Sequence, residues 1–173
     1  MSPHICLACG CHHVPCCLST CRACDLPPCV LFDRDGTLFS VDGPGENSDV
    51  TWPEFNARIP FDPPVPLIHA LWHAIRPGIA RIMVSGRDGE FAPRIQDSNA
   101  KYNIVPDAFF HRRAGDRRKD SIVKAEILDT LILPRWRVVY VFDDRQQVVD
   151  MWRSRGLPVM QVVDPKILPP IGG

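Results

Sequence analysis

Past residue 28 the chain alternates short apolar runs with amphipathic stretches. Cys29, Val30, Leu31 and Phe32 form a buried-strand pattern that stops at an acidic turn. Leu67, Ile68, Leu71, Trp72 and Ile75 recur at helical spacing, and Pro77-Gly78 ends that helix. Residues 79–84 read as a second strand that stops at Ser85-Gly86-Arg87. A helix is expected within residues 91–102. Asp120 reads as the N-cap of another, with Val123, Ile127 and Leu131 on one stripe and Pro134 as its close. Residues 138–142 are continuously apolar, as expected of a central parallel strand covered on both faces. Residues 146–155 form an amphipathic helix stopped by Gly156, and residues 159–163 a last strand. Two stretches predict loops. Residues 41–66 are rich in Gly, Pro and Asp and, because they include Trp52, Phe55 and Phe61, are expected to pack in part against the domain, and residues 111–119 are basic. Strands alternating with helices imply an α/β fold around a central parallel sheet with right-handed crossovers. Ligands of such sheets sit beyond the carboxyl ends of the strands.

Composition changes this picture in two places. With 45% hydrophobic residues and no net charge, the 173-residue chain is an ordinary globular one, neither a disordered tail nor a basic nucleic-acid packager. No apolar run approaches the roughly 20 residues of a membrane span, and no basic and apolar leader opens the chain, so a cytoplasmic protein is expected. The first departure is the cysteines, all eight of which lie in the first 29 residues. They mark residues 1–28 as a separate module ahead of a domain over residues 29–173. Cys6-x-x-Cys9 and Cys21-x-x-Cys24 have the spacing of two knuckles that supply four thiolates to one structural zinc. The remaining cysteines, with His4, His12 and His13, leave a second zinc or another ligand choice open. So small a module has almost no core, and metal binding would be its folding energy. The second departure is charge. Residues 111–155 hold eleven Lys/Arg against seven Asp/Glu, whereas residues 30–110 hold seven against eleven. A positive C-terminal face would attract a polyanion.

Four clusters at the expected strand ends carry chemistry. In Asp33-Arg34-Asp35-Gly36-Thr37, Asp33 leaves the strand at the sheet edge, and Gly36 permits a tight turn that brings backbone N–H groups toward an anion. A carboxylate attacks a phosphate dianion only when a cation offsets their repulsion. Asp33 would then carry an aspartyl-phosphate, with Asp35 protonating the leaving oxygen and later deprotonating water. Ser85, Gly86 and Arg87 offer a hydroxyl, amides and a charge to phosphate oxygens. Lys124, one turn into the helix after Asp120, could neutralise phosphate and nucleophile together, with Lys119 as its local competitor. Asp143-Asp144 follow the most apolar strand, and paired carboxylates suit Mg²⁺.

These residues resemble the four motifs of the haloacid-dehalogenase superfamily: Asp33-x-Asp35-Gly36-Thr37, Ser85, Lys124 and Asp143-Asp144. The runs from Gly115 to Ile127 and from Asp143 to Arg153 are similar to the 3′-phosphatase domain of phage polynucleotide kinase. The resemblance implies a Rossmann-like fold with a minimal cap and removal of a 3′-phosphate from DNA or RNA ends before ligation. It implies Asp33 as nucleophile, Asp35 as acid/base, and Asp33, Asp35, Asp143 and Asp144 around Mg²⁺. Thr37, Ser85, Gly86, Arg87, Arg112, Asp120, Lys124 and Arg145 match positions that bind phosphate or support activity. Asp42-Gly43-Pro44 stands where the family carries a basic residue. The sequence has no kinase phosphate loop, so the expected partners are nucleic-acid 3′ ends and a separate kinase or ligase chain, with no membrane and in a host cytoplasm if the gene is a phage's. Two alternatives are a phosphatase of mononucleotides or other small phosphoesters, and a zinc-dependent nucleic-acid-binding or scaffold protein with a vestigial site.

Overall fold

The computed structural model describes residues 25–41 and 49–163. Its frame is a sheet of five parallel strands: β1 (Pro28–Asp33), β2 (Ala80–Ser85), β3 (Ala108–His111), β4 (Arg137–Asp143) and β5 (Val159–Gln161). Their spatial order is β3-β2-β1-β4-β5. The chain moves outward from β1 to β3, then crosses back to β4, so the order reverses between β1 and β4. That reversal opens a crevice at the carboxyl ends of the two central strands, where Asp33 and Asp143 stand.

The helices follow in chain order as α1 (Trp52–Ala57), α2 (Pro66–Ala74), α3 (Ala92–Ala100), α4 (Asp120–Ile127) and α5 (Gln146–Ser154). α2 and α3 cover one sheet face and α4 and α5 the other, and β1 shows how. Its Cys29 and Leu31 join Val123 and Ile127 of α4 and Val148 and Trp152 of α5 in one core. Val30 and Phe32 join Ile68 and Trp72 of α2 and Ile95 of α3 in the other. Period-two alternation thus buries apolar side chains on both faces, as a central parallel strand requires. Phe32 lies between Phe142, stacked at 4.8 Å, and Trp72, edge-on at 5.0 Å. Burying each such side chain contributes about 1.5–3 kcal/mol. Cys29 is fully buried in the first of these cores, and that burial raises its thiol to about 12.

Four expectations need correction. No element is expected between residue 102 and the basic loop, but residues 108–111 pair with β2 as an edge strand that takes in His111. Inside the expected loop of residues 41–66 lie α1 and a 3-10 turn (Ile59–Phe61). Thr51 and Glu54 close a capping box there, the Glu54 carboxylate accepting from Thr51 N–H at 2.8 Å. Asp120 is the first residue of α4 rather than its cap, which is Lys119, so its carboxylate is free for the site below. The expectation that β4 is covered on both faces fails at Tyr140, 47% exposed, because α2 and α3 pack over the β1–β3 side of their face. Between β1 and α2 the described residues hold α1 and the short turn. No helix among the described residues is long and apolar enough to cross a membrane. The cysteine module, with Cys6, Cys9, Cys21 and Cys24, and the Asp42-Gly43-Pro44 segment lie outside the described residues.

Candidate active site

The turn after β1 is tied down before any ligand arrives. Gly36 N–H donates to Phe39 O at 2.8 Å and Phe39 N–H to Arg34 O at 2.9 Å. Gly36 takes a φ of 82°, and a Cβ there would lie 2.2 Å from Asp144 Oδ2. Only glycine lets this turn close against the end of β4.

Three carboxylates gather in the crevice. Asp33, Asp143 and Asp144 each place an oxygen within 4.8 Å of the others. Lys124, fully buried on α4, reaches in and donates to Asp33 Oδ1 at 2.6 Å and Asp143 Oδ2 at 3.0 Å, with Asp120 Oδ2 at 3.5 Å. Trp152 also donates its indole N–H to Asp143 Oδ2 at 3.1 Å. Burial pushes the Asp33 carboxyl well above the ordinary range. Lys124 opposes that shift, while Asp143, Asp144 and Asp35 add to it. Asp144 is raised to about 6, by burial and then by Asp143. Burial works against the Lys124 charge, yet Asp120, Asp143 and Asp33 outweigh it and hold the ammonium charged. One lysine among these carboxylates leaves the crevice short of positive charge.

The donor set fits a magnesium ion. It is all oxygen, and Asp144 Oδ1 is buried without a hydrogen-bond partner. Thr37 Oγ1 is buried and unpartnered as well, two residues beyond Asp35.

Asp35 has the opposite surroundings. Its carboxylate takes both oxygens to Arg87 Nε at 2.9 Å, with Oδ1 also 2.7 Å from Arg87 Nη2 and 2.5 Å from Arg34 Nη1. Asp62 Oδ2 accepts from the same two arginines, at 3.0 Å from Arg34 and 3.4 Å from Arg87. Arg34, Asp35, Arg87 and Asp62 therefore close a ring of alternating charge. Arg34 also meets Ser98 Oγ, Ile59 O and the Phe39 ring, and Arg87 meets Phe55 O and Asn56 Oδ1. Burial alone would raise the Asp35 pKa, but the two guanidiniums outweigh it and lower the value. The Asp35 side chain lies outside the three-carboxylate group and is held by the two arginines.

The remaining expected residues sit at the same sheet edge. Ser85 Oγ accepts from Arg87 N–H at 3.2 Å. A Cβ on Gly86 would lie 2.1 Å from Asp120 Oδ1. Arg112 spends its guanidinium on Gly86 O, Asp116 O, Arg118 O and Asp120 Oδ1, so it braces the basic loop against β2. Arg145 stands half exposed, 3.8 Å from Asp120 Oδ2. Sequence reasoning missed Arg34, Asp62 and Trp152. Arg34 had a signal, a charged residue between two motif aspartates at the end of a buried strand.

Residues 27–166 match the family described as "Polynucleotide kinase PNKP phosphatase domain". A chain in the solved structure of a Pnkp1/Rnl/Hen1 complex is 32% identical, with a TM-score of 0.71 over 80% of this chain and 47% of that one. A chain in the structure of a Pnkp1/Rnl/Hen1 RNA repair complex is also 32% identical, with the same TM-score, over 80% of this chain and 43% of that one. The chain thus spans less than half the length of either.

Proposed function

We propose that this chain, which belongs to the family of polynucleotide kinase PNKP phosphatase domains, removes a 3′-phosphate from nucleic-acid ends. The observation that carries the chemistry is Lys124 bridging Asp33 and Asp143 with Asp144 beside them. Asp33 attacks phosphorus, the bond to the 3′-oxygen breaks, and an aspartyl-phosphate forms. Asp35 gives a proton to the leaving oxygen and takes one from the water that frees Asp33. For this it must leave both Arg34 and Arg87, which hold it ionised, and take up a proton from water first; an incoming anion can draw Arg87 away. Lys124 neutralises the nucleophile, and Thr37, Ser85 and Gly86 line the phosphate with hydroxyls and an amide. Asp33, Asp143 and Asp144 would hold Mg²⁺, which supplies the charge that lets a carboxylate approach a phosphate dianion.

The relatives' structures are of complexes named for Pnkp1, Rnl and Hen1, one an RNA repair complex. In the proposed role this chain likewise works beside separate kinase or ligase activities on broken strands. The test is phosphate release from matched DNA and RNA oligonucleotides bearing a 3′- or a 5′-phosphate, with Mg²⁺ and with EDTA. Mg²⁺-dependent release from the 3′ end alone is expected. Hydrolysis of glycerol phosphate with no release from either oligonucleotide end would assign the site to small phosphoesters. No turnover of any substrate would leave a binding protein.

A further inference from the structure

Trp52 plays no part in the machinery above. It opens α1 and leaves 63% of its surface exposed, unlike the buried Trp72 and Trp152. Its ring meets Phe55 edge to face, with centroids 5.8 Å apart at 79°. Phe55 carries the Arg87 guanidinium on its ring at 3.7 Å, and Arg87 grips Asp35. An exposed indole therefore stands three contacts from the acid/base carboxylate. Its mounting is firm. The capping box fixes the start of α1, and Arg87 donates to Phe55 O at 3.0 Å and Asn56 Oδ1 at 3.3 Å.

A free phosphate needs no flat apolar face beside it. A nucleic-acid strand presents one with every base, and base stacking on an aromatic side chain tolerates any sequence. The loop leaving β3 adds Arg113, Arg117 and Lys119, all exposed, for the strand's backbone. We propose that Trp52 is a stacking platform for an unpaired nucleobase of the strand whose 3′ end enters the site. This rests on the function proposed above and narrows its substrate to single-stranded or overhanging ends, since a base inside a duplex is already stacked.

The test compares the wild type, Trp52→Phe and Trp52→Ala on a single-stranded 3′-phosphorylated oligonucleotide and on the same strand made abasic at its last two residues. For the wild type, removing the bases should raise KM by roughly tenfold to a hundredfold. Trp52→Ala should produce a rise of the same size on the intact strand and add nothing on the abasic one. Trp52→Phe, which keeps a smaller ring, should fall between. Independent, multiplying losses from indole and bases, or a fall in kcat on both strands, would overturn the platform. Wild-type protein that releases phosphate from glycerol phosphate and from no oligonucleotide would overturn the end-healing function and the platform together.

Discussion

Asp33 and Asp35 are two residues apart on one turn, yet their surroundings are built on opposite plans. Asp33 shares its crevice with Asp143 and Asp144 against a single lysine, and its carboxyl is pushed up. Asp35 lies in a ring of two arginines and two aspartates, and its carboxyl is pulled down. The ring is complete in itself. The crevice is complete only with positive charge from outside, which is what a metal-assisted nucleophile requires. Without a cation these shifts run against the proposed roles, so a bound cation would have to ionise Asp33, and Asp35 would have to leave the arginines to take up a proton.

The largest effect should come from Asp33, the proposed nucleophile. Asp33→Asn is expected to cut phosphate release by at least about a thousandfold. The melting temperature of the metal-free variant should hold or rise, because one crowded charge has gone. A variant that loses both activity and stability would mean that Asp33 balances Lys124 rather than overloading it.

The ring should behave in the reverse sense. Arg34→Met leaves the buried Asp62 and the part-buried Asp35 with one guanidinium and should cost about 3–5 kcal/mol in urea unfolding. Adding Asp62→Asn should recover part of that loss, since it removes the stranded charge. Additive losses in the double variant would show that Arg34 and Asp62 act independently.

The smallest effect separates the two sites by pH. In the folded protein without a cation, Asp33 and Asp144 hold their protons more tightly than in the unfolded chain. Stability from this source is full in acid and is lost as pH rises through about 6, the Asp144 value. A cation bound by the ionised carboxylates reverses the trend. The Mg²⁺-induced rise in melting temperature should therefore be larger above about pH 6 than below it. An equal rise at both would place the ion elsewhere.

Much of the crevice was legible before the fold was seen, because its residues fall at the ends of strands whose apolar patterns are unmistakable. Val30 to Phe32 and Val138 to Phe142 point at Asp33 and Asp143 without ambiguity. β3 left no such mark. It is a four-residue edge strand, half-buried along its length, running into a basic loop. α1 is six residues long and sits among glycines and prolines, although Thr51-x-x-Glu54 is a readable capping signal. The ring was beyond reach for another reason. Arg34 and Asp62 are 28 residues apart and Asp35 and Arg87 are 52 apart, and no local pattern links them.

Residue order by itself determined the parallel sheet, the acidic turn after its first strand and the lysine and aspartates that answer it. Each is a local matter, written in the alternation of apolar and polar positions and in what stands where an apolar run stops. Only the tertiary structure decided where the charges meet. It turned Asp35 to the arginines, swung Arg112 onto backbone carbonyls and left Trp52 facing water. A buried charge settles on whichever opposite charge the packing brings within reach, and that distance is set by the fold and not by the spacing along the chain.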